Sequence, residues 1–381
     1  MILDVERVAH GGVCVAHADD GRVVLVRHTL PGEQVRVQVT EERRSYLRAD
    51  AVEVLRASPA RVAPPCPWAG PGRCGGCDWQ HVDLAEQRRL KAAVISEQLT
   101  RLAGIDREVV VAPVPGDEDG LHWRTRLRLA TDGEGRAGFR RHRSHAIEPI
   151  DDCLIADRRA DVAALVTRRW PPDVEVTVDV SAAGERAVAV GAHPDTVTEH
   201  AAGRDWAVPV GGFWQVHVGA AEALATTVVE LAAPQPDDRC LDLYAGVGLF
   251  AGALAPLVAG VTAVESDRRA AAAARRNLAD LPVVVVGDRV DRWLRAPRSA
   301  DVVVLDPPRK GAGRDVATRI AASGARSIVY VACDPAALGR DAATLSDLGY
   351  RLADLRAFDL FPMTAHVECV ASFKRPAADD R

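Results

Sequence analysis

From about residue 205 onward, short apolar runs alternate with longer Ala- and Leu-rich stretches. The runs are Cys240-Leu241-Asp242-Leu243-Tyr244, then residues 261–265, 283–286, 302–305 and 328–331. Strand-like runs separated by helical stretches predict a parallel, doubly wound α/β sheet of the Rossmann type. Two further strands are expected over 350–359 and 366–374, the second able to close the sheet antiparallel. Residues 1–57 show another pattern, in which runs such as 21–27 and 34–39 alternate with Gly/Asp turns, predicting a small OB-like β-barrel. Pro59, Pro64, Pro65, Pro67 and Pro71 then exclude regular helix. Leu84, Leu90, Val94, Leu99 and Leu102 recur near helical spacing and predict a helix over about 81–103. The expected division is a barrel at 1–57, a central region at 58–204 and a catalytic domain at 205–381, ending in a disordered tail at 376–381.

A chain of 381 residues with 48% hydrophobic content has room for two or three packed domains. It lacks a run of 18 apolar residues and a signal-peptide pattern at Met1-Ile2-Leu3-Asp4, so a cytoplasmic protein without membrane association is expected. The net charge of -5 does not mark a nucleic-acid binder, and local patches must carry that function. The clearest patch runs from Trp123 to His145, where Arg124, Arg126, Arg128, Arg136, Arg140, Arg141 and Arg143 face only Asp132 and Glu134, with Trp123 and Phe139 interleaved. It could hold phosphates and stack bases, or it could be the solvent face of a strand. Eight cysteines in a reducing compartment argue for metal binding or catalysis before disulfides.

The chemistry concentrates at the ends of the predicted strands, where doubly wound sheets bind ligands. Asp242 precedes a turn containing Gly246 and Gly248, and Glu265 ends the next strand at a ribose-binding position. An NAD site uses the same logic. The third glycine of its fingerprint is missing here, and a sulfonium cofactor has no pyrophosphate to cradle, so S-adenosylmethionine is favoured over NAD. Asp288 follows the third strand, as an adenine contact or an ordinary turn residue. Asp306-Pro307-Pro308-Arg309-Lys310-Gly311 closes the fourth strand in the manner of methyltransferases acting on nucleic-acid bases. Cys333 ends the fifth strand, just before a helix that Pro335 can begin, where partial positive charge favours a thiolate. Upstream, Cys66, Cys74 and Cys77, with Cys153 far along the chain, provide four candidate thiolates for either zinc or an iron-sulfur cluster, and spacing alone does not choose.

Taken in this order, Asp242 with Gly246 and Gly248, Asp306-Pro307-Pro308, Cys333-Asp334-Pro335 and His366-Val367-Glu368 resemble the bacterial RNA 5-methyluridine methyltransferases. The resemblance covers nearly the whole chain. Its front portion looks like that family's TRAM domain. Cys74-Gly75-Gly76-Cys77-Asp78-Trp79-Gln80-His81 is similar to the family's iron-sulfur motif, Phe213-Trp214-Gln215 to its cofactor-contacting segment, and Ile150-Asp151-Asp152-Cys153 to a further motif. The resemblance implies that Cys333 adds to uracil C6, that C5 takes the methyl of S-adenosylmethionine, and that Glu368 removes the C5 proton. It implies cofactor contacts by Gln215, Tyr244, Glu265 and Asp306, a [4Fe-4S] cluster ahead of zinc, and RNA as partner, large-subunit ribosomal RNA ahead of tRNA. A cytosine-C5 methyltransferase, an NAD-dependent oxidoreductase and a non-catalytic RNA-binding scaffold are the rivals. The chain departs from the family pattern at Leu249, His217 and Asp334. An ionised Asp334 would oppose a thiolate at Cys333 unless its charge is directed elsewhere. Nothing in the sequence calls for an obligate protein partner, and a monomer is the default.

Overall fold

A computed structural model describes residues 1–375 except 117 and 192, so the tail expected at 376–381 lies outside the described residues. Val24, Val26, Val35, Val37, Leu47 and Ala49 alternate with exposed or half-buried neighbours, and this period of two puts them on one face of a six-stranded N-terminal sheet. Its strands lie in the order Ile2–Asp4, Gln34–Glu42, Tyr46–Arg56, Val23–Arg27, Cys14–His17 and Arg7–Val8. The proline-rich connector leads to a helix, Leu84–Ala103, which starts three residues later than the apolar spacing predicted. Asp83 sets that start by accepting from Ala85 N at 2.9 Å, and Gly104 ends the helix in the left-handed region at φ 65°.

Two smaller elements follow: a five-stranded antiparallel sheet spanning residues 126–190, and a hairpin of Thr196–Ala201 with Arg204–Pro209. The C-terminal sheet has eight strands, in the order Val283–Gly287, Gly260–Glu265, Arg239–Leu243, Val302–Leu305, Ser327–Ala332, Glu368–Lys374, Arg351–Phe358 and Val111–Ala112. The first five are parallel, as the alternating pattern predicted. Buried apolar clusters cover both faces of the sheet. The strand order reverses between Arg239–Leu243 and Val302–Leu305, which opens a crevice at their carboxyl ends.

Glu368–Lys374 is antiparallel, as expected, but it sits inside the sheet, between Ser327–Ala332 and Arg351–Phe358. It also begins at Glu368, two residues later than expected. The short strand Val111–Ala112 adds to the outer edge beside Arg351–Phe358, and the helix Leu84–Ala103 packs against the helix Pro335–Asp347 that follows Cys333. Gly339 permits that approach, since a Cβ there would lie 2.9 Å from the Gln98 carbonyl oxygen. Among the described residues no helix is long and apolar enough to cross a membrane.

The helix is also tied to the sheet by a buried charge pair. Lys91, one of only three lysines, is fully enclosed and donates to Asp359 Oδ1 and, at 3.0 Å, to the Phe361 carbonyl; Arg88 lies 3.6 Å from Asp359 Oδ2. Removing the ammonium leaves a buried carboxylate short of its partner. Lys91→Met should therefore lower the unfolding free energy by about 3–5 kcal/mol, and Lys91→Met combined with Asp359→Leu by less, as measured by chemical denaturation. Equal losses in the two variants would contradict the buried-pair account.

Candidate active site

The crevice begins with Asp242, which lies one residue before the end of a strand buried from Cys240 onward and accepts from Ala251 N at 2.8 Å, fixing the helix Leu249–Leu254 against the turn before it. Burial, added to by the nearby Asp306 and Glu265, pushes its carboxyl up to about 7. The turn takes left-handed backbone at Tyr244 (φ 66°), Gly246 (φ 57°) and Gly248 (φ 101°). Gly248 has no room for a side chain, because a Cβ would stand 2.6 Å from Leu278. Glu265 holds the turn across the crevice, accepting from Gly246 N at 2.9 Å and from Asp267 N at 2.6 Å.

Sheet register brings the reactive groups together. Ala332 pairs with Cys369 in the antiparallel ladder, so one step further Cys333 and Glu368 stand opposite each other at the strand ends. Leu305 pairs with Tyr330 on the other side, so Asp306 emerges at the neighbouring strand end. A cavity of about 700 Å³ is lined by Cys333, Glu368, Asp306, Gln215, Tyr244, Gly246 and Glu265, with Phe213, Arg309 and Phe361 at its border. Seven of the nine residues singled out for catalysis or cofactor contact thus share one space. Gly248, in the turn, and Asp288 are not among the lining residues; Asp288 accepts from Arg289 N at 2.8 Å and pairs with Arg292 at 3.2 Å.

The electrostatics differ from the helix-terminus expectation for Cys333. Burial, with the charges of Glu368 and Asp306, pushes the thiol up to about 12, and Arg309 opposes the rise. Burial also raises Glu368 well above the usual carboxylate range, with Asp306 adding to it, and burial raises Asp306. Positive partial charge at the helix start is outweighed here by burial first and by the two nearby carboxyls second. Asp334 resolves differently. Burial alone would raise it, but bonds from His10 and from Ala337 N outweigh that and hold it below the usual range, with both oxygens engaged.

The other departures are structural. His217 is buried, stacks on Trp123 with ring centroids 6.0 Å apart, and accepts from Gly219 N at 3.1 Å. Leu249 is buried in the first turn of its helix. Asp341 escaped the sequence reading although it organises the Asp-Pro-Pro loop: it accepts from Ala312 N at 2.7 Å, Gly313 N at 3.1 Å and the Tyr330 hydroxyl at 2.7 Å. An acidic residue on the buried face of the helix after Cys333 was the available signal.

Cys66, Cys74, Cys77 and Cys153 line one small cavity, so chain segments far apart in sequence bring four thiols together. They do not converge on a single point: among the described residues no group of three or more His, Cys, Asp or Glu is placed to hold one metal ion. Cys14, Cys240 and Cys369 are buried core residues.

The arginine-rich segment needs correction in its details. Arg126 is buried and pairs with Asp179 at 3.1 Å and Glu199 at 3.0 Å, while Trp123 is enclosed and offers no face to a base. Arg128, Arg136 and Arg141 pair with Glu175, Asp132 and Glu148. The segment still lines a groove of about 610 Å³, with Trp123, Arg124, Arg126, Arg128, Phe139 and Arg140 in its wall, and this groove shares Phe213, Arg309 and Phe361 with the neighbouring cavity. Phe213, 68% exposed, is the aromatic surface there. Arg309 reaches His366 Nε2 at 3.1 Å across the junction.

Comparisons with known proteins agree with this layout. The TRAM domain family matches residues 2–52, the tRNA (Uracil-5-)-methyltransferase family residues 296–375, and a family described as conserved hypothetical protein 95 residues 226–332. A protein of Streptomyces coelicolor named as an RNA methyltransferase is 46% identical, covering 99% of this chain and 93% of its own. A 23S rRNA (uracil(1939)-C(5))-methyltransferase of Chromohalobacter salexigens is 35% identical over 98% of this chain and 89% of its own. Among solved structures, the Pyrococcus abyssi tRNA (uracil-54, C5)-methyltransferase in complex with S-adenosyl-L-homocysteine has the same fold, with a TM-score of 0.75 at 24% identity over 98% of this chain and all of that one.

The charge competition at Cys333 has a direct readout. In Glu368→Gln, the pH profile of Cys333 alkylation by iodoacetamide should move to lower pH by about one unit, because a facing negative charge is gone. Peptide-resolved mass spectrometry between pH 7 and 10.5 measures this, and an unmoved profile would contradict the assignment of Glu368 as the facing charge.

Proposed function

The chain belongs to the RNA (uracil-C5) methyltransferase family, and from that premise we propose how its cavity performs the reaction. The protein is an S-adenosylmethionine-dependent RNA methyltransferase with an N-terminal TRAM domain. Support for its site comes from one observation above the others: register sets Cys333 and Glu368 opposite each other in the cavity that also holds Asp306 and the glycine turn.

The cavity residues fit the cofactor. The Glu265 carboxylate suits ribose hydroxyls, Gly246 allows close backbone approach, and Gln215, Tyr244 and Asp306 line the remainder. S-adenosylmethionine bound there supplies an electrophilic methyl group. The target uridine leaves its stack and enters between Phe213 and Cys333. Cys333 Sγ, as thiolate, forms a bond to C6, and the displaced π electrons make C5 a nucleophile able to take the methyl. Glu368 then accepts the C5 proton, the C5–C6 double bond re-forms, and the C6–S bond breaks to return the thiolate. Burial beside Asp306 gives Glu368 the high proton affinity that this last step uses. Arg309 offsets negative charge at the thiolate. Gly248 shapes the glycine turn, and Asp288 lies outside the cavity lining.

Two finer assignments rest on narrower support. Cys66, Cys74, Cys77 and Cys153 would hold a [4Fe-4S] cluster, for which four thiols around one cavity are suited. Methyl transfer moves no electron, so the cluster's role is structural. It would brace Asp78 and Trp79, which bond Ala365 N at 3.3 Å and the Met363 carbonyl at 3.0 Å in the loop ahead of Glu368. Zinc is the alternative occupant, and metal analysis with visible absorption separates the two. Large-subunit ribosomal RNA is the favoured substrate, because the relatives named for it are similar over nearly the whole chain, with tRNA as the alternative. Residues 1–57 and 58–204 would grip this RNA and 205–381 would carry the chemistry. One chain supplies every lining residue of the cavity, which supports a monomer.

Incubating RNA with labelled S-adenosylmethionine and analysing nucleosides by mass spectrometry tests the assignment. The protein should yield 5-methyluridine in ribosomal RNA, Cys333→Ala none, and Glu368→Gln a methylated RNA that stays attached to the protein under denaturing conditions. Product formation by Cys333→Ala, or label only in cytosine, would contradict the mechanism.

A further inference from the structure

The barrel reaches Asp334, the residue after Cys333, through one tight turn. Ala9 N bonds the Val13 carbonyl at 2.7 Å and Gly12 N bonds the Ala9 carbonyl at 3.2 Å, which closes residues 9–13 into a rigid tip. That tip is wedged in place. Gly12, at φ 78°, sits so close to the loop ahead of Glu368 that an added Cβ would stand 2.3 Å from Ala365 Cβ, and Trp79 Nε1 donates to the Gly12 carbonyl at 3.1 Å. From the same tip, His10 Nε2 meets Asp334 Oδ2 at 3.0 Å, across 324 positions of sequence. An ionised carboxylate only accepts, so Nε2 carries the hydrogen. Asp334 Oδ1 accepts from Ala337 N at 2.7 Å as the cap of the helix Pro335–Asp347.

We infer that His10 is a positioning residue for the nucleophile: the barrel tip holds the Asp334 carboxylate on His10 and the helix cap, and so lets this chain carry an acid immediately after Cys333. The inference rests on Cys333 being the nucleophile. The groups facing the thiol are Glu368 and Cys369 from the neighbouring strand, Asp306 and Arg309 from the Asp-Pro-Pro loop, and Asp334 itself; those facing Asp334 are His10 and Arg340. Of these, His10 alone comes from the N-terminal barrel, which ties the barrel to the residue that follows the nucleophile. The arrangement ties thiol reactivity to barrel docking, because the tip can hold Asp334 only while Gly12 is seated against Ala365.

The test is a double-mutant cycle read by the rate of Cys333 alkylation with iodoacetamide between pH 7.5 and 10, resolved by peptide mass spectrometry on the full chain. His10→Ala should slow alkylation at fixed pH by about threefold to tenfold, as expected when a neighbouring like charge loses its partner. His10→Gln, which keeps a donor, should stay within about twofold of the original protein. Asp334→Asn should react faster, and adding His10→Ala to it should change nothing further. An unchanged rate in His10→Ala, or equal slowing in the Asp334→Asn background, would overturn the inference. The alkylation needs neither RNA nor methyl donor, so failure of the nucleophile assignment would show separately, as methyl transfer by Cys333→Ala.

Discussion

Three acids compete for negative charge in one buried crevice, and the behaviour of the site follows from that competition. Cys333, Glu368 and Asp306 stand at the ends of three adjacent strands, where little water reaches to screen them. Each ion formed there makes the next harder to form. Burial therefore favours protons on these acids; on the proposed mechanism this makes Glu368 a stronger base once it is ionised and holds back ionisation of Cys333. Positive charge must arrive to release the thiol. Arg309 provides part of it from the Asp-Pro-Pro loop, and a sulfonium cofactor entering beside Asp306 would provide more, so that bound cofactor and active nucleophile go together.

The scaffold around the crevice serves to hold these groups at fixed separation. Inserting the antiparallel strand Glu368–Lys374 beside Ser327–Ala332 is what faces Glu368 toward Cys333; a parallel strand in that place would send its opposite end there. Asp341 pins the loop that carries Arg309, Asp242 pins the first helix, and Lys91 with Asp359 fixes the helix that packs under the cysteine's own helix. Each is a buried polar group with defined partners, and loss of any one frees a segment of the wall.

Much of this was legible in the chain. The five parallel strands, the glycine turn and Cys333 before a proline-initiated helix follow from periodicity and turn chemistry, which are local, whereas Glu368, Gln215 and Tyr244 were named by the family resemblance. What escaped was non-local. No periodicity announces that Val111–Ala112 joins the outer edge of the catalytic sheet, that Glu368–Lys374 inserts into its interior, or that His10 meets Asp334. The arginine segment misled because a strand's alternation does not say which face is covered: Arg126 points into Asp179 and Glu199, and Trp123 is buried beneath His217. The raised proton affinity of the thiol was hidden for a related reason, since the helix-start field acts locally while burial and the opposing carboxyls come from distant segments.

The central claim is that Cys333 bonds to C6 of a uridine held opposite Glu368. RNA carrying 5-fluorouridine tests it most directly, because methyl transfer to C5 would leave a fluorine that Glu368 cannot remove as a proton, and the sulfur could not depart. The account predicts a methylated protein–RNA adduct that forms only with S-adenosylmethionine present, survives denaturation and maps to Cys333 by mass spectrometry. Release of the fluorinated RNA without an adduct, or an adduct on another residue, would contradict it.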